Sequence, residues 1–272
     1  MRDIERRSFI TRMGALAAVV PIALVSVTAR ARTTKRPPVK LSADERLQAM
    51  EKQMEQMATR LGMLEDVQAI RRLQHAYGYY LDKSLYEEVI GLFAEDGAVR
   101  LGRGLYQGRV GQRRFYTGFV AQSIGSGASG PSYGVLREHL QLQDIIDVAA
   151  DRRSAQGRIR CFMQAGAHET KKDVNSELPR QWWEGAICEN TYAKGEDGLW
   201  RIKLLNYRQV YRASYEDGWA HSKPLGHAES VRAYPDDPVG PDELLPDAVA
   251  SWPETPIVPF HYPHPVTGKP WV

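Results

Sequence analysis

Residues 65–100, EDVQAIRRLQHAYGYYLDKSLYEEVIGLFAEDGAVR, constrain this chain more than any other stretch. Ile70, Leu73, Tyr77 and Leu81 recur at the three- and four-residue spacing of a helix, which predicts one buried face. A tyrosine-rich end that carries an acid, Tyr79-Tyr80-Leu81-Asp82, interrupts that helix. A second short helix over 84–93 then leads to a turn signal at Glu95-Asp96-Gly97 and on to a strand.

The order of these motifs, I-x-x-L-x-x-x-Y near an aspartate and then L-F-x-x-D-x-x-V, resembles the opening of the SnoaL-like branch of the NTF2-like superfamily. The resemblance covers roughly residues 60–215. It implies an α+β fold, an NTF2-like cone in which helices pack on a strongly curved antiparallel sheet with a pocket between them. It says little about chemistry, because one such fold hosts many unrelated activities.

The first 31 residues read as a targeting peptide. Arg6-Arg7-Ser8-Phe9-Ile10 resembles the twin-arginine export motif of bacteria, and the apolar run from Gly14 to Val27 is shorter than the roughly 20 residues that span a bilayer. Ala29-Arg30-Ala31 offers a small-x-small cleavage site. The expectation is a periplasmic protein without stable membrane insertion after processing. Cleavage after Ala31 removes five arginines and two acids, and with them the whole formal charge of +3. No basic surplus then remains to neutralise phosphates, which argues against nucleic acid as a partner.

Residues 32–40 form a linker around Pro37-Pro38, and residues 41–64 an amphipathic helix opened by a Ser42/Glu45 capping box. Leu47, Met50, Met54, Met57, Leu61 and Leu64 follow at alternating spacings of three and four, about three heptads with apolar a and d positions. Two readings stand: a short coiled coil that joins protomers, or a helix packed along its own domain. The narrow, charge-flanked stripe favours a homo-oligomer, a dimer or trimer. Residues 65–219 form the main domain, and residues 220–272 carry eleven of the sixteen prolines. Four aromatic residues in that tail, Trp252, Phe260, Tyr262 and Trp271, are costly to leave in water, which predicts an extended wrap packed on the domain or a neighbour, over the pocket mouth in one version.

Four strands are expected over 139–148, 156–167, 182–192 and 200–211, after a hairpin at 102–111, a helix over 112–122 and a glycine-rich loop at 125–131. Strict alternation places His139, Gln141 and Gln143 on one face of the first, and Trp182, Glu184, Ala186, Cys188 and Asn190 on one face of the third. On the fourth it aligns Trp200, Ile202, Leu204, Asn206 and Arg208. Cys161 and Cys188 fall inside strands and read as buried free thiols rather than a bridge. Neither C-x-x-C nor H-E-x-x-H occurs, so no metal site is expected, and His261 and His264 in the tail lack a nearby carboxylate in sequence.

Within the superfamily, Leu81-Asp82-Lys83-Ser84 and Glu138-His139-Leu140 resemble the acid and the histidine of the scytalone dehydratase family. The resemblance implies an acid–base pair, in which a carboxylate fixes the tautomer of an imidazole. Asp82, His139 and Tyr79 are the catalytic candidates. Tyr80, Arg208, Asn206, Trp182 and Glu184 are the substrate-binding ones, with Arg208 cast as the stabiliser of an anionic intermediate. The chain departs from that family where Trp182-Trp183-Glu184 occupies the place of its second histidine. A further resemblance, in the whole order of signal, coiled helix, SnoaL-like core and proline-rich tail, is to the lignin-dimer γ-formaldehyde lyases. The expectation is a cofactor-independent lyase that eliminates water or formaldehyde from a small hydroxylated aromatic. The alternatives are a ketosteroid-isomerase-like isomerase, a polyketide cyclase, or an exported protein that only binds an aromatic ligand.

Overall fold

The computed structural model describes residues 41–124, 129–174, 179–222, 232–246 and 250–271. The expected targeting segment and linker lie outside the described residues, as do four residues of the glycine-rich loop and parts of the tail. The chain divides into two compact units, 1–48 and 49–272. Of the first, the described part opens the long helix α1 (Ala43–Asp82), where Ser42 and Glu45 exchange backbone-to-side-chain hydrogen bonds at 2.7 and 3.2 Å as the capping box requires.

In the second unit α1 changes character along its length. Met50, Met54, Met57, Leu61 and Leu64 are all more than half exposed, whereas Asp66, Ile70, Gln74, Tyr77 and Leu81 are buried. The short α2 (Tyr86–Gly91) follows, then strands β1 (Phe93–Leu101) and β2 (Gly104–Gln107). Helix α3 (Gly108–Arg113) widens into a π-helical turn, Arg114–Val120, and ends as α4 (Ala121–Ile124). Four long strands come next, β3 (Val135–Val148), β4 (Ser154–Ala167), β5 (Gln181–Lys194) and β6 (Trp200–Ser214), then α5 (Gly218–His221) and a two-residue β7 (Glu243–Leu244).

The strands form one curved sheet in the order β3-β4-β5-β6-β1-β2-β7. Every pairing is antiparallel except β1 with β6, which are parallel. Strand β1 starts earlier than the sequence suggests: Glu95-Asp96-Gly97 is an irregularity in its ladder with β6, not a separate turn before it. The helices cover the concave face, and the core there gathers Ile70, Tyr77, Val89, Phe93, Tyr116, Ile159, Ile202 and Leu205. Burial of that apolar surface is the main favourable term.

One polar anchor ties α1 to the sheet. Asp66 accepts hydrogen bonds from Arg152 at 2.6 Å, Lys194 at 2.7 Å and Trp200 at 2.9 Å. Burial would raise its pKa, but these three donors outweigh that and hold it at about 2.

Two bulges in β6 overturn the face assignment drawn from alternation. Thr191 pairs with Leu204 and Tyr192 with Ile202, which leaves Lys203 extra; Ala186 pairs with Gln209 and Gly185 with Tyr211, which leaves Val210 extra. Each extra residue switches which parity faces inward. The concave face of β6 is therefore Trp200 and Ile202, then Leu205, Tyr207 and Gln209, then Arg212.

The tail packs on the outside. Trp252 donates its main-chain N–H to the carbonyl of the bulged Val210 at 2.7 Å and its indole N–H to Trp219 at 2.6 Å. Further on, Arg158 reaches the carbonyls of Val258 and Pro259 and stacks over Phe260. No described tail residue lines the cavity, so the version with a covered pocket mouth does not hold among the described residues.

Candidate functional site

Helix α1, the π-helical turn and the concave face of the sheet enclose a cavity of about 880 Å³, its open mouth included. Apolar side chains build most of its wall: Leu81, Val99, Phe115, Phe119, Met163 and Leu205. Arg137, His139, Gln141, Glu184, Tyr207, Gln209 and Arg212 are the polar groups placed against that wall, the composition usual for a small-molecule site.

The sequence candidates Asp82 and His139 come together at the end of α1. Asp82 Oδ1 accepts the main-chain N–H of His139 at 2.6 Å and lies 2.9 Å from its ring Nδ1. Their side chains are only 14% and 8% exposed, so bulk water does not screen the contact. With Nδ1 engaged, Nε2 is the ring nitrogen left for a substrate in the cavity that His139 lines. The approach depends on Gly78. A Cβ on that residue would sit 2.7 Å from the carbonyl oxygen of His139, closer than packed atoms come, so only glycine lets α1 rest on β3 at this point.

Across the sheet His139 is in register with Met163 on β4, Met163 with Glu184 on β5, and Glu184 with Arg212 on β6. One row on four adjacent strands thus carries an imidazole, a carboxyl and a guanidinium on the same face. Burial pushes the Glu184 carboxyl above its ordinary pKa, against the pull of a 2.5 Å hydrogen bond from Tyr207 Oη and the charges of Arg212 and His139. Arg212 stands 3.8 Å from Glu184 and 4.7 Å above the Trp182 ring, and its own burial lowers its pKa. Tyr77 and Tyr116 meet hydroxyl to hydroxyl at 3.3 Å; burial drives both far up, so they stay neutral. Cys161 and Cys188 line the cavity as free, buried thiols, and desolvation lifts Cys161 to about 12.

Other candidates fall elsewhere. Tyr79 is 74% exposed, in a groove behind the dyad with His75 and Glu138, and Tyr80 packs against the core. Trp182 is buried under Arg212 without lining the cavity. Asn206 and Arg208 lie on the other face of β6, because the bulge at Lys203 reverses the parity that alternation assumed. The cations that face the cavity are Arg137 and Arg212 instead. Arg137 was legible, since it extends the His139–Gln141 face by one step, but the expected strand began four residues late. Arg212 and Tyr207 could not be found without the bulges.

Residues 62–206, more than half of the chain, match the family model described as SnoaL-like domain. No curated protein matches the sequence. Among solved structures, a candidate scytalone dehydratase from Novosphingobium aromaticivorans is 22% identical, with a TM-score of 0.45, over 64% of this chain and 99% of that one. LinA is 16% identical, with a TM-score of 0.46, over 61% and 99%. ActVI-ORFA from Streptomyces coelicolor is 15% identical, with a TM-score of 0.40, over 53% and 96%.

Proposed function

We propose, for this chain, which belongs to the SnoaL-like domain family, a cofactor-independent elimination on a small hydroxylated aromatic compound. One observation carries the reading: an imidazole oriented by a carboxylate and a buried carboxyl of raised pKa stand in one row on the wall of an apolar cavity. Elimination needs a base and an acid, and burial of Glu184 favours the form that can donate a proton.

His139 Nε2 takes a proton from the substrate while Asp82 holds Nδ1–H and stabilises the imidazolium that forms. Glu184, whose burial favours the protonated form, gives a proton to the departing hydroxyl, which leaves as water. In the formaldehyde version the proton comes from a terminal carbinol. The carbon–carbon bond breaks to release formaldehyde, its electron pair forms the new double bond, and the benzylic hydroxyl leaves as water. A diarylpropane diol then yields a stilbene, formaldehyde and water, and proton transfer from His139 to Glu184 resets the site. Aromatic walls from Phe115, Phe119 and Tyr116 suit an aryl ring. The twin-arginine-like start adds export to the proposal.

Purified protein incubated with hydroxylated aromatics, diarylpropane diols among them, tests it by chromatography and formaldehyde release. A dehydrated or chain-shortened product that vanishes in His139→Ala supports the reading. Isomerised product with no loss of water or formaldehyde replaces elimination with proton transfer; ligand binding without any product ends the enzyme reading.

A further inference from the structure

Arg137 is 3% exposed, and its partners are neutral. Its Nη1 donates to Ser84 Oγ and Tyr86 Oη, each at 3.2 Å, and Nε has no acceptor among the described residues. None of the ion pairs among the described residues includes it. A buried guanidinium without a carboxylate is expensive, and a fold that keeps one lining a cavity has a use for the charge. Arg212 Nη2 and Gln209 Nε2 on the same wall are likewise buried donors without acceptors. Among the described residues, the fully buried side-chain polar atoms of the lining that lack a partner are thus three donors, two of them on cations.

We propose that Arg137 recognises an anionic oxygen of the substrate, a carboxylate or a phenolate, so that the natural substrate is an anionic hydroxylated aromatic. This rests on the cavity being the substrate site. The guanidinium fork suits an oxyanion, and Ser84 and Tyr86 hold the fork in place. Arg212 and Gln209, on β6 three strands across the same concave face, complete a donor-rich wall next to Glu184.

The test is a fluorescence or calorimetric titration of the intact protein with 4-hydroxybenzoate against 4-hydroxybenzamide, and with 4-nitrophenol on either side of its ionisation. Wild type should bind the charged member of at least one pair about 10-fold or more tighter; the pair that responds distinguishes carboxylate from phenolate. Arg137→Gln should erase that preference, and His139→Ala should keep it. Equal affinity within both pairs in wild type, or an undiminished preference in Arg137→Gln, overturns the proposal. Should Arg137→Gln fail to fold, Arg137→Lys decides: it keeps the charge without the fork, and an unchanged preference there counts against the assignment. Because binding needs no turnover, an inactive wild type that still prefers the anion sinks the elimination chemistry and leaves this inference standing.

The exposed stripe of α1 carries a second inference independently. Met50, Met54, Met57, Leu61 and Leu64 occupy a and d positions in water. With that register, Arg60 is a g residue and Glu65 an e residue, and Arg46 and Glu51 repeat the pair two heptads earlier. In a parallel, in-register pair each arginine meets the partner copy's glutamate; antiparallel pairing would set like charges together. The geometry points to a second copy of this chain as the occupant, through a parallel two-helix contact. Sedimentation of the full chain should show self-association that weakens in Met54→Glu, in Arg60→Glu and in Glu65→Arg, and returns in the Arg60→Glu/Glu65→Arg double variant. A monomeric wild type, or a double variant no better than the singles, refutes it.

Discussion

Two histidines among the described residues, His139 and His261, face carboxylates, and their surroundings divide their work. His139 engages one carboxylate through Nδ1, lines an apolar cavity, and has its second nitrogen to spare. His261, in the tail, is clamped on both sides: Nδ1 lies 2.9 Å from Glu189 Oε2, and Nε2 lies 3.2 Å from Asp147 Oδ2 as an ion-pair contact without hydrogen-bond alignment. Glu189 is also held by Arg158, which grips the tail backbone. An imidazole with both nitrogens committed can fasten a segment but has nothing to offer a substrate. One with a single nitrogen committed is oriented and still free to exchange a proton.

That contrast can be broken by substitution. His139→Ala should lower turnover by about 10²–10⁴-fold with little change in melting temperature, as expected for a general base; retained turnover would sink the assignment. Asp82→Asn preserves shape but loses the charge that orients the ring, and should cost about 10²-fold in kcat. Gly78→Ala tests whether placement matters as much as identity. Pushing β3 away from α1 by a few tenths of an ångström or more should reduce kcat by about 10-fold or more without touching a reacting group.

A pH profile sharpens the comparison further. The Glu184 pKa is raised in the fold, so its proton is retained above the ordinary carboxylate range. Activity that needs that proton falls as pH rises through the raised value, and Glu184→Gln should abolish this limb of kcat/KM. The same group contributes stability at low pH that is lost as pH rises, the reverse of Asp66, whose contribution holds above its unfolded pKa and fades as pH falls toward about 2. The smallest effect on catalysis belongs to His261→Ala. Turnover should stay within about twofold, while urea denaturation shows a loss of about 1–3 kcal/mol as Glu189 keeps Arg158 but loses its second partner and the tail loses a fastening. An inactive His261→Ala protein would erase the distinction between the two histidines.

Local signals were legible where backbone periodicity stays regular. The helical stripe Ile70–Tyr77–Leu81, the capping box at Ser42, and the inward row Trp182–Glu184–Ala186–Cys188 all follow from spacing alone, because helices and unbroken strands repeat at fixed periods. The resemblance on the Tyr77–Asp82 stretch placed Asp82 with His139. What alternation could not supply was the inward face of β6. Lys203 and Val210 look like ordinary strand residues, and nothing in their identity announces a bulge.

By itself, then, the sequence determined where the long helix and the four long strands run, to within a few residues, and which carboxylate and imidazole were worth pairing. Only the tertiary structure decided which residues share the cavity with them. A bulge is a compromise between two strands and the curvature of a whole sheet, so it belongs to no single segment. Its consequence here is that Tyr207, Gln209 and Arg212 point inward where Asn206 and Arg208 were expected.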